Sequence, residues 1–209
     1  MAPQNLKFIA LNCTLKGARR GKQSSTDVLL KQLGRAFSSF DCKGDVVRVV
    51  DLNIMPGVSS NEGRGDDWPK LLRRILDADI LIIGTPIWMG QPSSVAKRIC
   101  ERLDAFFDEL DSRQRMPSYN KVAAVAVVGN EDGAHHVSAE LYQALNDCGF
   151  SLPPNAVTYW VGEAMSDKNY KDLKRTPSAV KKTTDMLASN VVHMARLLKA
   201  KNFLGIDKR

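Results

Sequence analysis

Four stretches of the sequence carry residue types that can hold a ligand. Residues 12–26 (NCTLKGARRGKQSST) are rich in hydroxyls, contain two glycines and end on three serine or threonine residues in a row. Residues 84–92 (GTPIWMGQP) place an aromatic ring and a methionine between proline and glycine. Residues 129–136 (GNEDGAHH) are polar, with two glycines and an adjacent histidine pair. Residues 53–68 (NIMPGVSSNEGRGDDW) form a polar stretch long enough to act as a lid or an interface arm, in which residues 55–58 could cover a neighbouring site; a disordered loop is the other reading.

The first stretch suits an anion. Hydroxyls and backbone N–H groups at the start of a helix, reinforced by the helix dipole, attract a phosphate, and Lys16, Arg19, Arg20 and Lys22 stand beside them. A long surface loop with helix-capping serines fits the same residues. The stretch is neither a G-x-x-x-x-G-K-[ST] loop nor a G-x-G-x-x-G turn, so a P-loop and a dinucleotide fingerprint are not signalled. Cys13 and Arg19 stand in C-x₅-R spacing, which keeps a thiolate phosphatase open, although the next residue is Arg20 and the glycines that wrap phosphate in such a motif are missing. In the second stretch, large apolar side chains at the tip of a strand imply a flat aromatic ligand or a partner; packing under a neighbouring loop is the alternative. In the third, backbone amides and Asn130 can meet the polar edge of a heterocycle, or Asp132 can cap a helix. Adjacent His135 and His136 point in different directions on a helix, so a shared metal is not expected. There is no G-x-S-x-G elbow, no H-E-x-x-H and no C-x-x-C.

These stretches must be positioned by the elements around them. Residues 6–11, 45–52, 80–84, 122–128 and 156–161 are short apolar, β-branched runs, as in parallel strands covered on both faces. Between them the period becomes helical: Leu29, Leu33 and Phe37 after Ser24-Ser25-Thr26; Leu71, Leu72 and Ile75 after Pro69; Val95, Ile99, Leu103 and Phe106 after Ser93-Ser94; Val137, Leu141, Leu145 and Cys148; and Val180, Leu187, Val191, Met194 and Leu198 after Thr176-Pro177. Five strands alternating with five helices predict one α/β domain over residues 1–209: a doubly wound parallel sheet in the order 2-1-3-4-5, with ligands at its carboxyl edge. The ligand-holding stretches at 12–26, 84–92 and 129–136 follow strands one, three and four.

Composition sets the outer bounds. The 209 residues are 44% hydrophobic and 25% charged, which is ordinary for a globular domain. No run reaches the ~18–20 apolar residues of a membrane span, and the N-terminus has no signal-peptide pattern; a cytoplasmic protein with reduced cysteines is expected. The net charge is +7, yet residues 168–209 hold 11 Lys/Arg against 3 Asp/Glu, so the remainder is near neutral. That distribution argues against a protein built around nucleic acid.

Together, residues 84–97 (GTPIWMGQPSSVAK), with their T/S-P-x-Y/W-x-G pattern running into a lysine-containing helix, and residues 129–136 resemble the flavodoxin-like NAD(P)H-dependent FMN reductases, a group that includes the multimeric flavodoxins and the quinone reductases of the tryptophan-repressor-binding-protein type. The resemblance runs over nearly the whole chain up to the last helix. It implies a three-layer α/β/α sandwich and a bound FMN. By matching position, Asn12, Thr14, Ser24, Ser25 and Thr26 hold its phosphate; Pro86, Ile87, Trp88, Met89 and Gly90 line the isoalloxazine; and Gly129, Asn130, Asp132 and Gly133 contact the pyrimidine edge. The first loop is longer and more basic than the family's S-x-R-x-x-S, which allows Arg19 or Arg20 to reach the 2′-phosphate of NADPH. The implied activity is hydride transfer from NADPH or NADH through the flavin to a quinone, a flavin or a similar acceptor, without a catalytic side chain or metal, in a homodimer or homotetramer with FMN at a subunit interface. An electron carrier of the same fold and a flavin-free binding module are the alternatives.

Overall fold

The computed structural model describes residues 5–18, 23–164 and 166–206. At its centre lie three strands made of the most apolar runs: β1 (Leu6–Asn12), β3 (Ile80–Trp88) and β5 (Val122–Gly129). They are flanked by β2 (Cys42–Arg48) and β6 (Val157–Val161). All four pairings are parallel, in the order β2-β1-β3-β5-β6. A two-residue strand, β4 (Gln91–Pro92), folds back antiparallel on the tip of β3. Among the parallel strands alone this is the expected 2-1-3-4-5 order.

Successive side chains of a strand point to opposite faces, and both faces are covered here. Phe8, Ala10 and Ile82 pack against Leu29, Leu33, Phe37, Leu187 and Val191 of α1 (Ser25–Ser38) and α5 (Ser178–Ala200). Ile9, Leu11, Leu81 and Ile83 pack against Leu71, Ile75, Ile99, Leu141 and Leu145 of α2 (Trp68–Asp77), α3 (Ser94–Leu103) and α4 (Ala134–Asp147). Each such side chain contributes roughly 1.5–3 kcal/mol on burial, so helices are required on both sides and three layers result.

The second strand begins and ends earlier than its apolar run suggests. Its ladder follows β1 from Leu6↔Cys42 to Asn12↔Arg48 and stops where β1 stops. Residues Val49–Asp51 then form a 3₁₀ turn that buries Val49. The shift matters for the site, because it aims two side chains at the first loop. Asp51 Oδ1 accepts the Ala18 amide at 2.9 Å, and Arg48 Nη1 donates to the Lys16 carbonyl at 2.9 Å.

Residues 53–68 are a braced loop rather than a disordered one. The Asp66 carboxylate accepts the backbone N–H groups of Met55 (3.2 Å), Glu62 (3.1 Å) and Trp68 (3.0 Å). It also pairs with Arg102 of α3 at 2.8 Å, both side chains being fully buried. Arg102 in turn donates to the Met55 carbonyl at 2.8 Å and lies 5.5 Å from the Trp68 ring centre. Among the described residues no helix is long and apolar enough to cross a membrane, and no group of three His, Cys, Asp or Glu could hold a metal ion.

Candidate active site

The carboxyl ends of β1, β3, β5 and β6 open into one cleft. One end is polar. Thr14, Lys16, Ser24, Ser25 and Thr26 line it where α1 begins. Ser24 is the helix N-cap, its Oγ accepting the Asp27 amide at 3.0 Å, and the Asn12 carboxamide donates to the same oxygen at 3.4 Å. Thr14 Oγ1 accepts the Lys16 amide at 3.3 Å, and Ser25 Oγ accepts the Lys171 amide at 3.4 Å. A hydroxyl that already accepts from an N–H has its own proton left to give. The first-turn amides of a helix likewise lack partners within it. Three hydroxyls and a helix N-terminus therefore converge as donors. Asp27, which could repel an anion here, is itself paired with Lys31 at 2.8 Å and Arg48 at 3.6 Å.

Asn12 is fully buried and does not line the cleft: its Oδ1 accepts the Thr14 amide at 3.1 Å while its Nδ2 reaches Ser24, so it braces loop against cap. Arg19, Arg20 and Lys22 lie outside the described residues.

The other end is apolar. Pro86, Ile87, Trp88, Val128 and Trp160 line it, with Leu15 at the mouth. Trp88 is 45% exposed and Met89 87%. The chain reverses at Met89 and Gly90, both with positive φ (50° and 73°), the signature of a tight hairpin turn matched to strand twist. Gly129, Asn130 and Glu131 complete the wall. Met89, Gly90, Asp132 and Gly133 are not brought to the lining. Three of them join the hairpin to the third loop instead: the Met89 amide donates to Glu131 Oε1 at 3.1 Å, and a Cβ on Gly133 would lie 2.8 Å from Gly90 Cα. Gln91 Nε2 meets His136 Nε2 at 3.0 Å across the same junction. None of the described lining residues comes from residues 53–68, so that loop does not cover the cleft.

Three lining residues come from neither the ligand-holding stretches nor the strands those stretches follow: Trp160, Asn169 and Tyr170. The signal that points to them is topological, because the loop after the fifth parallel strand also emerges at the carboxyl edge. Trp160 and Tyr170 pack at a tilt of 46° with ring centres 5.4 Å apart. Asn130 Nδ2 is occupied by the Ser166 carbonyl at 2.6 Å. The C-x₅-R alternative fails on chemistry: Cys13 is fully buried, and that burial, followed by the influence of Cys100, pushes its thiol well above the ordinary range, so no thiolate nucleophile is present. His135 and His136 face Tyr159 and Glu140 respectively, at 3.2 and 2.7 Å, and share no site.

Comparison with known proteins agrees with this geometry. A family model described as NADPH-dependent FMN reductase matches residues 6–165. The 8-demethyl-8-aminoriboflavin-5'-phosphate synthase of Streptomyces davaonensis is 36% identical over 204 residues, covering 92% of this chain and 78% of that protein. The divalent metal cation transporter MntH of Mycobacterium bovis is 32% identical over 206 residues; the match takes in 93% of this chain but only 29% of the length of that relative. Among solved structures, RosB with bound intermediate 8-demethyl-8-formylriboflavin-5'-phosphate superposes with a TM-score of 0.84 at 35% identity, covering 95% of this chain and 82% of that one.

Proposed function

The chain belongs to the NADPH-dependent FMN reductase family, and on that premise we propose that its cleft holds FMN and that the protein passes hydride from NADPH or NADH to a quinone, a flavin or a similar acceptor. The observation that carries this reading is the pairing of two unlike ends in one cleft. The hydroxyls of Thr14, Ser24 and Ser25, each accepting from an N–H and left with a proton to give, suit the acceptor oxygens of a phosphate, and the Ile87–Trp88–Val128–Trp160 wall suits a planar ring.

Bound FMN supplies the hydride relay between nucleotide and acceptor. The chain's own part is positional. Thr14, Ser25, Thr26 and the first-turn amides of α1 fix the phosphate, with Ser24 as cap and Asn12 as brace. Ile87 and Trp88 hold water off one face of the ring. Backbone amides near Asn130 would offset negative charge at the pyrimidine edge. Glu131 is committed to the Met89 amide, which keeps the hairpin and the third loop in register. No side-chain acid or base is required. Exposed Trp88, Met89 and Leu15 at the mouth support a homodimer or homotetramer in which a neighbouring subunit covers the ring; such an assembly in the cytoplasm completes the proposal.

The test is an absorption spectrum of protein mixed with FMN and gel-filtered, then titrated anaerobically with NADPH and NADH. Retained flavin bands that bleach with stoichiometric nucleotide are expected. Bands that stay without bleaching favour an electron carrier, and a colourless protein favours a flavin-free module.

A second reading treats the flavin as the substrate. It is favoured by the likeness to the 8-demethyl-8-aminoriboflavin-5'-phosphate synthase and to RosB bound to 8-demethyl-8-formylriboflavin-5'-phosphate, the latter with a TM-score of 0.84. Mass spectrometry of the flavin released after incubation separates the two readings: unchanged FMN supports the reductase, and a flavin changed at position 8 supports the second.

A further inference from the structure

Residues 166–173, between β6 and α5, form a wall of the cleft that is assembled from contacts distant in sequence. The segment is internally braced. Asn169 and Asp172 cap each other across the Tyr170–Asp172 turn, Asn169 Nδ2 donating to Asp172 Oδ2 and to the Asp167 carbonyl, each at 3.1 Å. It is then fastened to the rest of the fold on three sides. The Ser166 carbonyl accepts Asn130 Nδ2 at 2.6 Å. The Lys171 amide donates to Ser25 Oγ at 3.4 Å. Tyr170, 2% exposed, donates its hydroxyl to Gln32 Oε1, and Gln32 Nε2 donates onward to Thr176 Oγ1 at 2.9 Å.

Gln32 does not itself line the cleft. It stands on α1 two turns beyond the phosphate-holding start of that helix, and its carboxamide ties the first residue of the 3₁₀ turn, Tyr170, to Thr176 just before α5. The segment it holds brings Asn169 and Tyr170 into the lining beside Ser24, Ser25 and Thr26. The stretch from 168 to 175 also carries Lys168, Lys171, Lys174 and Arg175 against Asp172, a positive surround for an anion.

A flavin ester that ends in a monophosphate presents only acceptor oxygens to the donors gathered here. An ester that continues through a second phosphate to adenosine needs room beyond that end, where Asn169 and Tyr170 stand in the lining beside Ser24, Ser25 and Thr26. We propose that residues 166–173 close the cleft behind a terminal monophosphate, so that the site takes FMN and rejects FAD, and that Gln32 is the positioning residue that holds this closure. The proposal rests on the reading of the cleft as a flavin site and adds to it the device that selects which flavin enters.

The test is titration of flavin-free protein with FMN, FAD and riboflavin, followed by quenching of flavin fluorescence, on the unaltered chain, Gln32→Leu and Thr176→Val. Thermal melts of the flavin-free variants check that each is folded; Gln32 is half-buried on α1 and Thr176 is exposed just before α5. The unaltered chain is expected to bind FMN at least ~50-fold more tightly than FAD, and Gln32→Leu to tighten FAD about 10-fold while FMN moves less than ~3-fold. Thr176→Val, which removes one of the two Gln32 bonds, falls between. Gln32→Glu, which keeps an acceptor for the Tyr170 hydroxyl, recovers part of the selectivity. Equal FMN and FAD affinity in the unaltered chain overturns the closure and leaves the flavin site standing. So does a proportional weakening of both flavins in Gln32→Leu, which would make Gln32 a structural residue only. Absence of binding for all three flavins overturns the flavin reading, and the closure with it.

Discussion

Cys13 occupies the place where a nucleophile would be wanted, one residue beyond β1 and near the start of α1, and its surroundings disarm it. The side chain is fully buried and its thiol donates to the Leu11 carbonyl at 3.7 Å. Burial raises all four cysteine thiols: Cys13 well above the ordinary range, Cys42 and Cys148 to about 12, and Cys100 to about 11. Since the thiolate is the reactive form, iodoacetamide at pH 7.5 should label the folded protein slowly. Cys100, the one that is not fully buried, should react first and Cys13 only on global unfolding. Peptide mass spectrometry reads the order; Cys13 labelled as fast as a free thiol would contradict it. The same contrast between residue type and surroundings runs through the site. Ser24 is legible as a cap because capping is local. Asn12 reads as a ligand-facing amide, yet its bonds to Thr14 and Ser24 turn it inward. Asp132 and Gly133 read as ring contacts, yet Gly133 is spent on close approach to Gly90. Which way a polar side chain turns depends on neighbours twelve or more residues away, and spacing alone does not encode it.

At the scale of elements, the loop at residues 53–68 is the instructive case. Its length and polarity suit a lid or a disordered arm equally, and what decides is a single buried carboxylate. Burial alone would raise the Asp66 carboxyl, but the amides of Glu62, Trp68 and Met55 and the Arg102 guanidinium outweigh it and hold the group below its usual value. A depressed folded value means stability that is present above the unfolded value near ~3.9 and lost as pH falls through the folded one. Asp66→Asn leaves Arg102 charged, buried and unpaired, a change that costs roughly 3–5 kcal/mol. Denaturant unfolding at pH 7 should show that gap, and the gap should narrow as pH falls below ~3.9, where the unfolded chain takes up a proton that the folded Asp66 still excludes. A gap that stays constant below that value would assign the loss to something other than the carboxylate charge. The second strand teaches a related point. Its apolar run extends to residue 52, but an edge strand with one partner takes its length from that partner, so β2 stops opposite the end of β1.

For the molecule as a whole, the order of the parallel strands and the three layers were readable because each strand is a run buried on both faces and each helix shows a one-sided apolar stripe. The ends of the cleft followed from the rule that ligands sit at the carboxyl edge. Its fourth side did not follow, because the bonds that build it join residues 36, 138 and 146 positions apart. The charge distribution resolves in a similar way. Of the cations in residues 168–209, Lys171 and Lys181 pair with Asp172 and Asp185 of the same segment, while Lys199 reaches Asp79 and Arg196 donates to the Phe40 carbonyl, which ties those two to the body of the fold.

A cleft assembled from β1, α1, β3, β5 and the β6–α5 segment couples ligand binding to the stability of the whole sheet. A ligand that binds only the folded state stabilises it by about 2.7 kcal/mol at a free concentration of 100 times its Kd. For a chain of this size each kcal/mol moves the melting midpoint by roughly 2–4 °C. FMN at that concentration should therefore raise the midpoint by about 5–11 °C. Riboflavin at the same concentration, lacking the phosphate for which Thr14, Ser25 and α1 are arranged, should raise it distinctly less. FAD should do no better than riboflavin if the 166–173 segment closes the phosphate end. The three midpoints, read by differential scanning fluorimetry detected at the tryptophans, separate the contributions. An FMN shift no larger than that of riboflavin would mean that the hydroxyls at the start of α1 hold no phosphate. An FAD shift equal to that of FMN would mean that the phosphate end is open.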